Sequence, residues 1–363
     1  MRSRGVIGWI SGLTILLLVS MLFSARMGPV SIDAVTVFRA SLNGISVPTG
    51  IELQYVTVAG IGLPRPTLTW ARPFTYQISQ GHQMIVRGIR LPRITLAAIV
   101  GFALAAAGTV MQGFFRNPMA DPSIIGVSSG AALGAVAFIV LPFANFFGLG
   151  LQLAAFTGAL IAAFVVYAIA TTNQRTPVAT LLLAGIAVQT FLGALISYLI
   201  LRSGDSMEQA VFWLMGRLHN STWTDVGLSV PFVILFYVVL TLYARDLNVL
   251  LLGEEDAATL GISVEWTKRI LLAASSVITA AAVAVSGVIG FVGLIVPHMM
   301  RLLVGPDHRI LLPTSALAGA SFLVLTDTVA RTGAVEIPVG IVTAALGAPF
   351  FLYLLRTREV HAL

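Results

Sequence analysis

No cysteine occurs anywhere in the 363 residues, which excludes disulfides, thiolate metal sites and a cysteine nucleophile and leaves the redox compartment undetermined. Lysine is nearly absent too: Lys268 is the single one among 21 basic residues, and Thr267 precedes it. A phosphate-cradling loop of the Walker type needs Gly-Lys-Ser/Thr. The chain holds no such loop, so any ATP-driven mechanism must take its ATPase from another polypeptide. Charge of either sign makes up only 10% of the residues, against roughly a quarter in a soluble domain. A water-facing surface cannot be built from so little. Within the apolar stretches only Asp327 is ionisable, with Glu336 at the edge of the next stretch. An enzyme embedded in a membrane would need clustered His, Asp or Glu there, so neither catalytic residues nor a metal site are expected. Coupling to an ion gradient through Asp327 and Glu336 stays open as an alternative.

What fills the chain instead is apolar. The charges fall in clusters that leave charge-free windows at 5–25, 94–115, 122–174, 176–201, 226–244, 270–300, 310–326 and 337–355. Each can cross a bilayer, which takes about 20 apolar residues and somewhat fewer at the short end. The window from Pro122 to Gln174 holds two spans around a Pro-Phe-Ala-Asn turn at 142–145, and that from Ile270 to Met300 a long and a short one. Nine or ten spans follow. Backbone groups in hydrocarbon must be satisfied within the chain, and continuous apolar runs mean helices rather than barrel strands. The fold class is an all-α polytopic membrane protein of about ten transmembrane helices.

The first window follows Arg2 and Arg4, but its flank Ser24-Ala25-Arg26 is a poor cleavage site, so residues 1–25 read as a retained first helix. The net charge of +6 reports topology and interface anchoring, not nucleic-acid binding. Basic residues in the short loops, Arg116, Arg175, Arg245 and Lys268 among them, place both termini in the cytoplasm. The segment 26–88, with Pro29, Pro48, Pro64, Pro66 and Pro73, reads as extracytoplasmic with short interfacial helices, or as a disordered insert. Residues 89–363 form the transmembrane core, which includes the polar cytoplasmic segment 246–268. A faint repeat runs through this core. Gly108 to Pro118 and Gly287 to Pro297 share one Gly-to-Pro spacing, and Thr-Pro-Val at 176–178 matches Ile-Pro-Val at 337–339. Helices 2–5 and 7–10 would then be inverted repeats, a transporter signature.

Three blocks carry a resemblance: RLPRITLAAIVGFALAAAGTVMQGFFRNPMADPSIIGVSSGAALGA from Arg90, LLLGEEDAATLGIS from Leu250, and GVIGFVGLIVPHMMRLL from Gly287. With the closing stretch from Asp307 to Leu355, they resemble the permease of metal-chelate ABC importers, a type II importer family that takes up ferric siderophores, haem and vitamin B12. The likeness covers most of the chain from about residue 86, and the 26–88 segment departs from it. The resemblance implies a homodimer in the cytoplasmic (inner) membrane. It also implies two ATPase subunits that bind ATP and Mg, an extracytoplasmic solute-binding protein, and no cofactor in this chain. The cargo it suggests is an iron chelate, haem or a ferric siderophore, with cobalamin as the alternative.

It also implies roles for residues that have plainer readings. Arg90, Arg93 and Arg331 resemble docking sockets for carboxylates of the binding protein; interfacial arginines otherwise simply reach for headgroups. Asp327 lies four residues before Arg331, on one helix face, either orienting it or forming a structural pair. Asn117 resembles the inner gate, facing Val178, Ala179, Thr180 and Leu183 of span five; the prolines around it also suit a plain turn. Leu250, Leu251, Gly253, Glu254, Glu255, Ala258, Leu260 and Gly261 resemble the helix that couples to the ATPase. By themselves these residues suit any solvated loop helix, with acids in the first turn and a glycine at the end. His298 reads as hydrogen-bonded structure, not as a haem ligand.

Overall fold

The charge-free windows become helices in the computed structural model, which describes residues 3–58, 61–141, 148–333 and 335–357. The first half runs α1 (Ser3–Arg26), α2 (Ala34–Leu42), β1 (Val47–Val58), β2 (Ile61–Ala71), α3 (Gln80–Met84), a π-helical turn (Ile85–Arg90), α4 (Leu91–Phe114), a 3-10 turn (Pro122–Ile125), α5 (Val127–Val140), α6 (Gly150–Ala170) and α7 (Val178–Leu201). The second runs α8 (Met207–Leu214), α9 (Trp223–Leu242), α10 (Ala244–Leu250), α11 (Glu254–Thr259), α12 (Val264–Ser286), α13 (Val292–Val304), α14 (His308–Thr332) and α15 (Val339–Thr357). The turn expected at 142–145, and Arg2, lie outside the described residues.

Among the described residues seven segments are long and apolar enough to cross a bilayer: α1, the continuous run Gln80–Phe114, α6, α7, α9, α12 and α14. With the shorter apolar helices α5, α13 and α15 they make ten, as the windows predict. Helix α5, at 14 residues, reaches about 21 Å at 1.5 Å per residue, short of a hydrocarbon core about 30 Å thick. It crosses only part of the way by itself.

Nearly every residue of α4 is buried, and glycine is what lets its neighbours approach. A Cβ at Gly101 would collide with the Gly319 carbonyl of α14, and one at Gly108 with the Gly293 carbonyl of α13. Membrane helices associate through such small-residue contacts because lipid tails supply no hydrophobic drive between them. The helix pairing also repeats. Helix α4 packs on α13 and α14 as α12 packs on α5 and α6, and α5 meets α6 and α7 as α13 meets α14 and α15. Helices five spans apart are thus equivalent, α4–α7 with α12–α15. The Gly-to-Pro blocks differ in placement: Gly108 is inside α4, whereas Gly287 follows α12 at φ +69.

The 26–88 segment contains helices, α2 and α3, and between them an antiparallel hairpin that the sequence pattern did not suggest. Ile51 pairs with Leu68 and Glu52 with Thr67, and Ile51, Leu53, Leu68 and Trp70 are exposed. Asn43 closes the stem: its Nδ2 donates to the Tyr76 carbonyl at 2.8 Å, and its Oδ1 accepts the Tyr76 N–H at 2.7 Å. Arg39 lies over the Tyr76 ring, 5.7 Å from its centre. The hairpin is an addition to an otherwise helical membrane fold.

Candidate functional site

Polar side chains gather at both ends of the helix bundle. At one end, α1, α4 and α14 meet. Arg93, in the first turn of α4, donates Nε to both Asp327 oxygens at 3.0 and 2.9 Å and Nη2 to Oδ1 at 2.8 Å. Its Nη1 reaches Glu336, just before α15, at 2.6 Å. Arg331 donates Nη2 to Ser24 Oγ at 2.6 Å and to the Ser24 carbonyl, and Thr328 donates to the same hydroxyl at 2.6 Å. Arg90 donates to the carbonyls of Ala25 at 2.8 Å, Arg26 at 3.2 Å and Val30. It thereby satisfies acceptors that the last turn of α1 leaves open.

The three arginines predicted as docking sockets are therefore brought together, but each is buried and bonded within its own chain. The member of the cluster that reaches solvent is Glu336, whose side chain is 45% exposed. The Asp327–Arg331 pair predicted from helix spacing is present at 3.7 Å. It is the looser contact, because Arg93 holds the same carboxylate at 2.8 Å from another helix. Ser24, not Asp327, is the group that chiefly positions Arg331. A carboxylate held by two guanidinium groups has little capacity left for a driving ion, which weakens the ion-coupled alternative.

At the opposite end, α4 stops at Phe114 and the chain turns. Arg116 takes φ +47, a left-handed conformation uncommon outside glycine. The Asn117 N–H donates to the Gln112 carbonyl at 3.1 Å, and its Oδ1 accepts the Met119 N–H at 2.9 Å. Asp121 caps the following 3-10 turn through the Ser123 N–H at 2.9 Å. Pro118 and Pro122 mark where the helix cannot continue. From this turn Arg116 reaches across to donate to the Leu250 carbonyl at 2.6 Å. A cavity of about 340 Å³ opens beside it, lined by Phe114, Phe115, Arg116, Val178, Leu250, Glu254 and Lys268. Three stretches singled out in the sequence thus surround one space. Arg116, not Asn117, lines it. Of the span-five residues Val178 lines it, whereas Ala179, Thr180 and Leu183 lie on the exposed side of α7, Leu183 at 68%.

The acidic stretch forms α11, with Glu254, Glu255 and Asp256 in its first turn where the helix dipole favours them. Gly253 at φ +136 and Gly261 at φ +84 bound it, conformations that glycine adopts without steric cost. Leu250 is buried and ends α10 instead of opening α11, and Leu251 is half-buried. Ala257 is the buried residue of α11, while Glu255, Ala258 and Leu260 are exposed, as is Leu252 just before it. The acidic helix therefore offers an outer face with two bare leucines beside it.

A model of the FecCD transport family matches residues 16–357. The chain belongs to this family. It is 57% identical over 367 residues, 99% of both chains, to the cobalamin import system permease protein of Halobacterium salinarum. It is 45% identical over 278 residues to the hemin transport system permease protein of Yersinia pestis, covering 75% of this chain and 83% of that one. A solved structure described as an inward-facing metal-chelate type ABC transporter superposes with a TM-score of 0.78 at 31% identity, covering 96% of this chain and 99% of the other. The protein is a multi-pass membrane permease of an ABC importer. In this FecCD permease the residues that sequence reasoning missed are Ser24, Thr176, Glu265 and Lys268. All four act through partners far away in sequence or across a turn, and only the isolation of Lys268 in an apolar, arginine-rich chain hinted at it.

Proposed function

We propose that the chain works as a homodimer in the cytoplasmic membrane, moving a corrinoid inward from an extracytoplasmic binding protein at the expense of ATP hydrolysed by two cytoplasmic ATPases. The observation that carries this reading is the convergence of the turn after α4, the start of α7 and the acidic helix α11 around one cavity. An outer helix touching a gate is what a transporter driven by a separate motor needs. On this reading the Asn117 end is cytoplasmic, with both termini, and α11 with Leu252 and Leu260 seats on the ATPase. The exposed face of α7 that bears Ala179, Thr180 and Leu183 would face the second subunit and line the path with it. The Arg93 end would receive the binding protein. Arg90, Arg93 and Arg331 would meet its carboxylates only after leaving the bonds they now make, with Glu336 the first partner to be displaced.

For the cargo, likeness to the cobalamin permease is both higher and more complete than likeness to the hemin permease. A corrinoid therefore ranks ahead of haem or another iron chelate, which the family resemblance alone puts first. The test is uptake into proteoliposomes holding the permease and its cognate ATPase, with the binding protein outside and radiolabelled cyanocobalamin or haem supplied. Cyanocobalamin uptake should require ATP and survive collapse of ion gradients. Haem uptake without cyanocobalamin uptake would reassign the cargo, and uptake by this chain alone on a proton or sodium gradient would sink the importer reading.

A further inference from the structure

We infer that Lys268 is the joint that transmits movement of α11 to the start of α7, and so ties the ATPase-facing helix to the gate. The inference rests on the importer reading above and adds to it the residue through which the two parts are connected. Lys268 is 3% exposed, on the first turns of α12. Its Nζ donates to Glu254 Oε1 of α11 at 3.1 Å and to Glu265 Oε1, three residues earlier on its own helix, at 3.0 Å. Glu265 passes the contact on: its second oxygen, Oε2, accepts the Thr176 N–H at 3.2 Å. Thr176 is buried two residues before α7, and its hydroxyl lies 3.0 Å from that of Thr171 at the end of α6. An unbroken polar path therefore runs from α11 through α12 to the turn that opens α7.

Three features suit this path to movement rather than to static support. Lysine presents a compact charge with three donors on one nitrogen, so a single atom serves two carboxylates from different helices while those carboxylates shift. Charge attraction also falls off slowly with distance compared with a neutral hydrogen bond, so the link survives a change of geometry. Second, Glu254 and Lys268 border the cavity between Val178 and Leu250 instead of packed side chains, which leaves α11 room to travel. Third, α11 lies between glycines at φ +136 and +84, so it is bounded by flexible points at both ends. Arg116, bonded to the Leu250 carbonyl at 2.6 Å, ties the turn after α4 to the end of α10, on the other side of Gly253.

The experiment measures cargo taken up per ATP hydrolysed in proteoliposomes containing the full complex, with radiolabelled cyanocobalamin and haem in parallel sets. Lys268→Met should assemble with the ATPase and hydrolyse ATP, while uptake per ATP falls at least about tenfold. Glu265→Gln leaves the Lys268–Glu254 pair in place and weakens the two contacts of Glu265 itself, to Lys268 and to Thr176; its ratio should fall about threefold. A merely structural role would lower the amount of assembled complex without changing the ratio in what does assemble. Wild-type ratios in both variants overturn the joint, and if Lys268→Met fails to assemble, a wild-type ratio in Glu265→Gln overturns it alone. Absence of ATP-dependent uptake in the wild-type complex would overturn the importer reading itself.

Discussion

The Arg93 cluster joins α4 to α14 and to the turn before α15, whereas the Lys268 cluster joins α12 to a six-residue helix and to the turn before α7. Both bury one cation against two carboxylates. At the Arg93 end a carboxylate is sealed too: the Asp327 side chain is 1% exposed, and Arg331 approaches it from its own helix. At the Lys268 end both carboxylates keep contact with water, Glu254 at 46% and Glu265 at 28% exposure, beside a cavity. The first arrangement fixes long helices against one another. The second links a six-residue helix and a turn to one long helix. The same residue chemistry therefore makes a lock or a joint, depending on what surrounds it.

The comparison is broken most directly by removing the sealed carboxylate. Asp327→Leu leaves Arg93 and Arg331 buried beside an apolar side chain, and breaking a buried pair in this way costs about 3–5 kcal/mol. Thermal unfolding of the detergent-solubilised permease should show that loss, and Arg93→Leu combined with Asp327→Leu should recover more than half of it. Lys268→Met should cost less, because Glu254 and Glu265 are solvated without their partner. Equal losses at the two ends would mean that both clusters are locks.

How far the sequence reaches differs between these regions for a physical reason. The ten apolar helices are legible because lipid demands apolar residues over a fixed length, which composition alone records. The acidic helix is legible as well, since Glu254 to Asp256 and the bounding Gly253 and Gly261 act within a few residues of one another. The Asp327–Arg331 contact follows from i, i+4 spacing, but the tighter Arg93–Asp327 bond spans 234 residues and depends on how two helices are rotated. The hairpin was hidden because Pro48, Pro64 and Pro66 argue against strands, and its register depends on pairing across the turn. Lys268 entered the reading only as proof that no phosphate loop exists and as one of the basic residues that set the topology. A lone lysine between polar residues looks solvated, and its burial arises when α11 folds over the first turns of α12.

Smaller effects sharpen the contrast. Arg90 secures the end of α1 by donating to carbonyls at 2.8 and 3.2 Å and to Val30. Charge-assisted bonds of this kind contribute about 1.5–3 kcal/mol, so Arg90→Leu should release α1 locally. Limited proteolysis should then cut at Arg26 to Val30 well before the rest of the chain, and an unchanged cleavage pattern would show that the end of α1 is held without Arg90, by its packing on α14 and the contacts of Ser24 with Thr328 and Arg331.

The smallest expected effect lies at the Lys268 end and depends on pH. Asp307 caps α14, accepting the Arg309 N–H at 3.0 Å and the Asn248 Nδ2 at 2.7 Å, and it pairs with the Arg309 guanidinium at 2.7 Å. The hydrogen bond from Arg309 holds its carboxyl well below the ordinary 3.8. A carboxyl lowered by folding stabilises the native state wherever it is ionised, so the contribution is complete above 3.8 and is lost only as pH falls below that value. The protection that Asp307 gives the first turn of α14, read as the difference in amide exchange between the wild type and Asp307→Ala after correction for intrinsic rates, should therefore stay level from pH 8 to 5 and shrink below about pH 4. Asp307→Ala should cost about 1 kcal/mol above pH 5 and less below pH 4, while Asp307→Asn, which keeps a capping oxygen, should cost less at neutral pH. A difference that already shrinks between pH 7 and 5 would place the titrating group elsewhere.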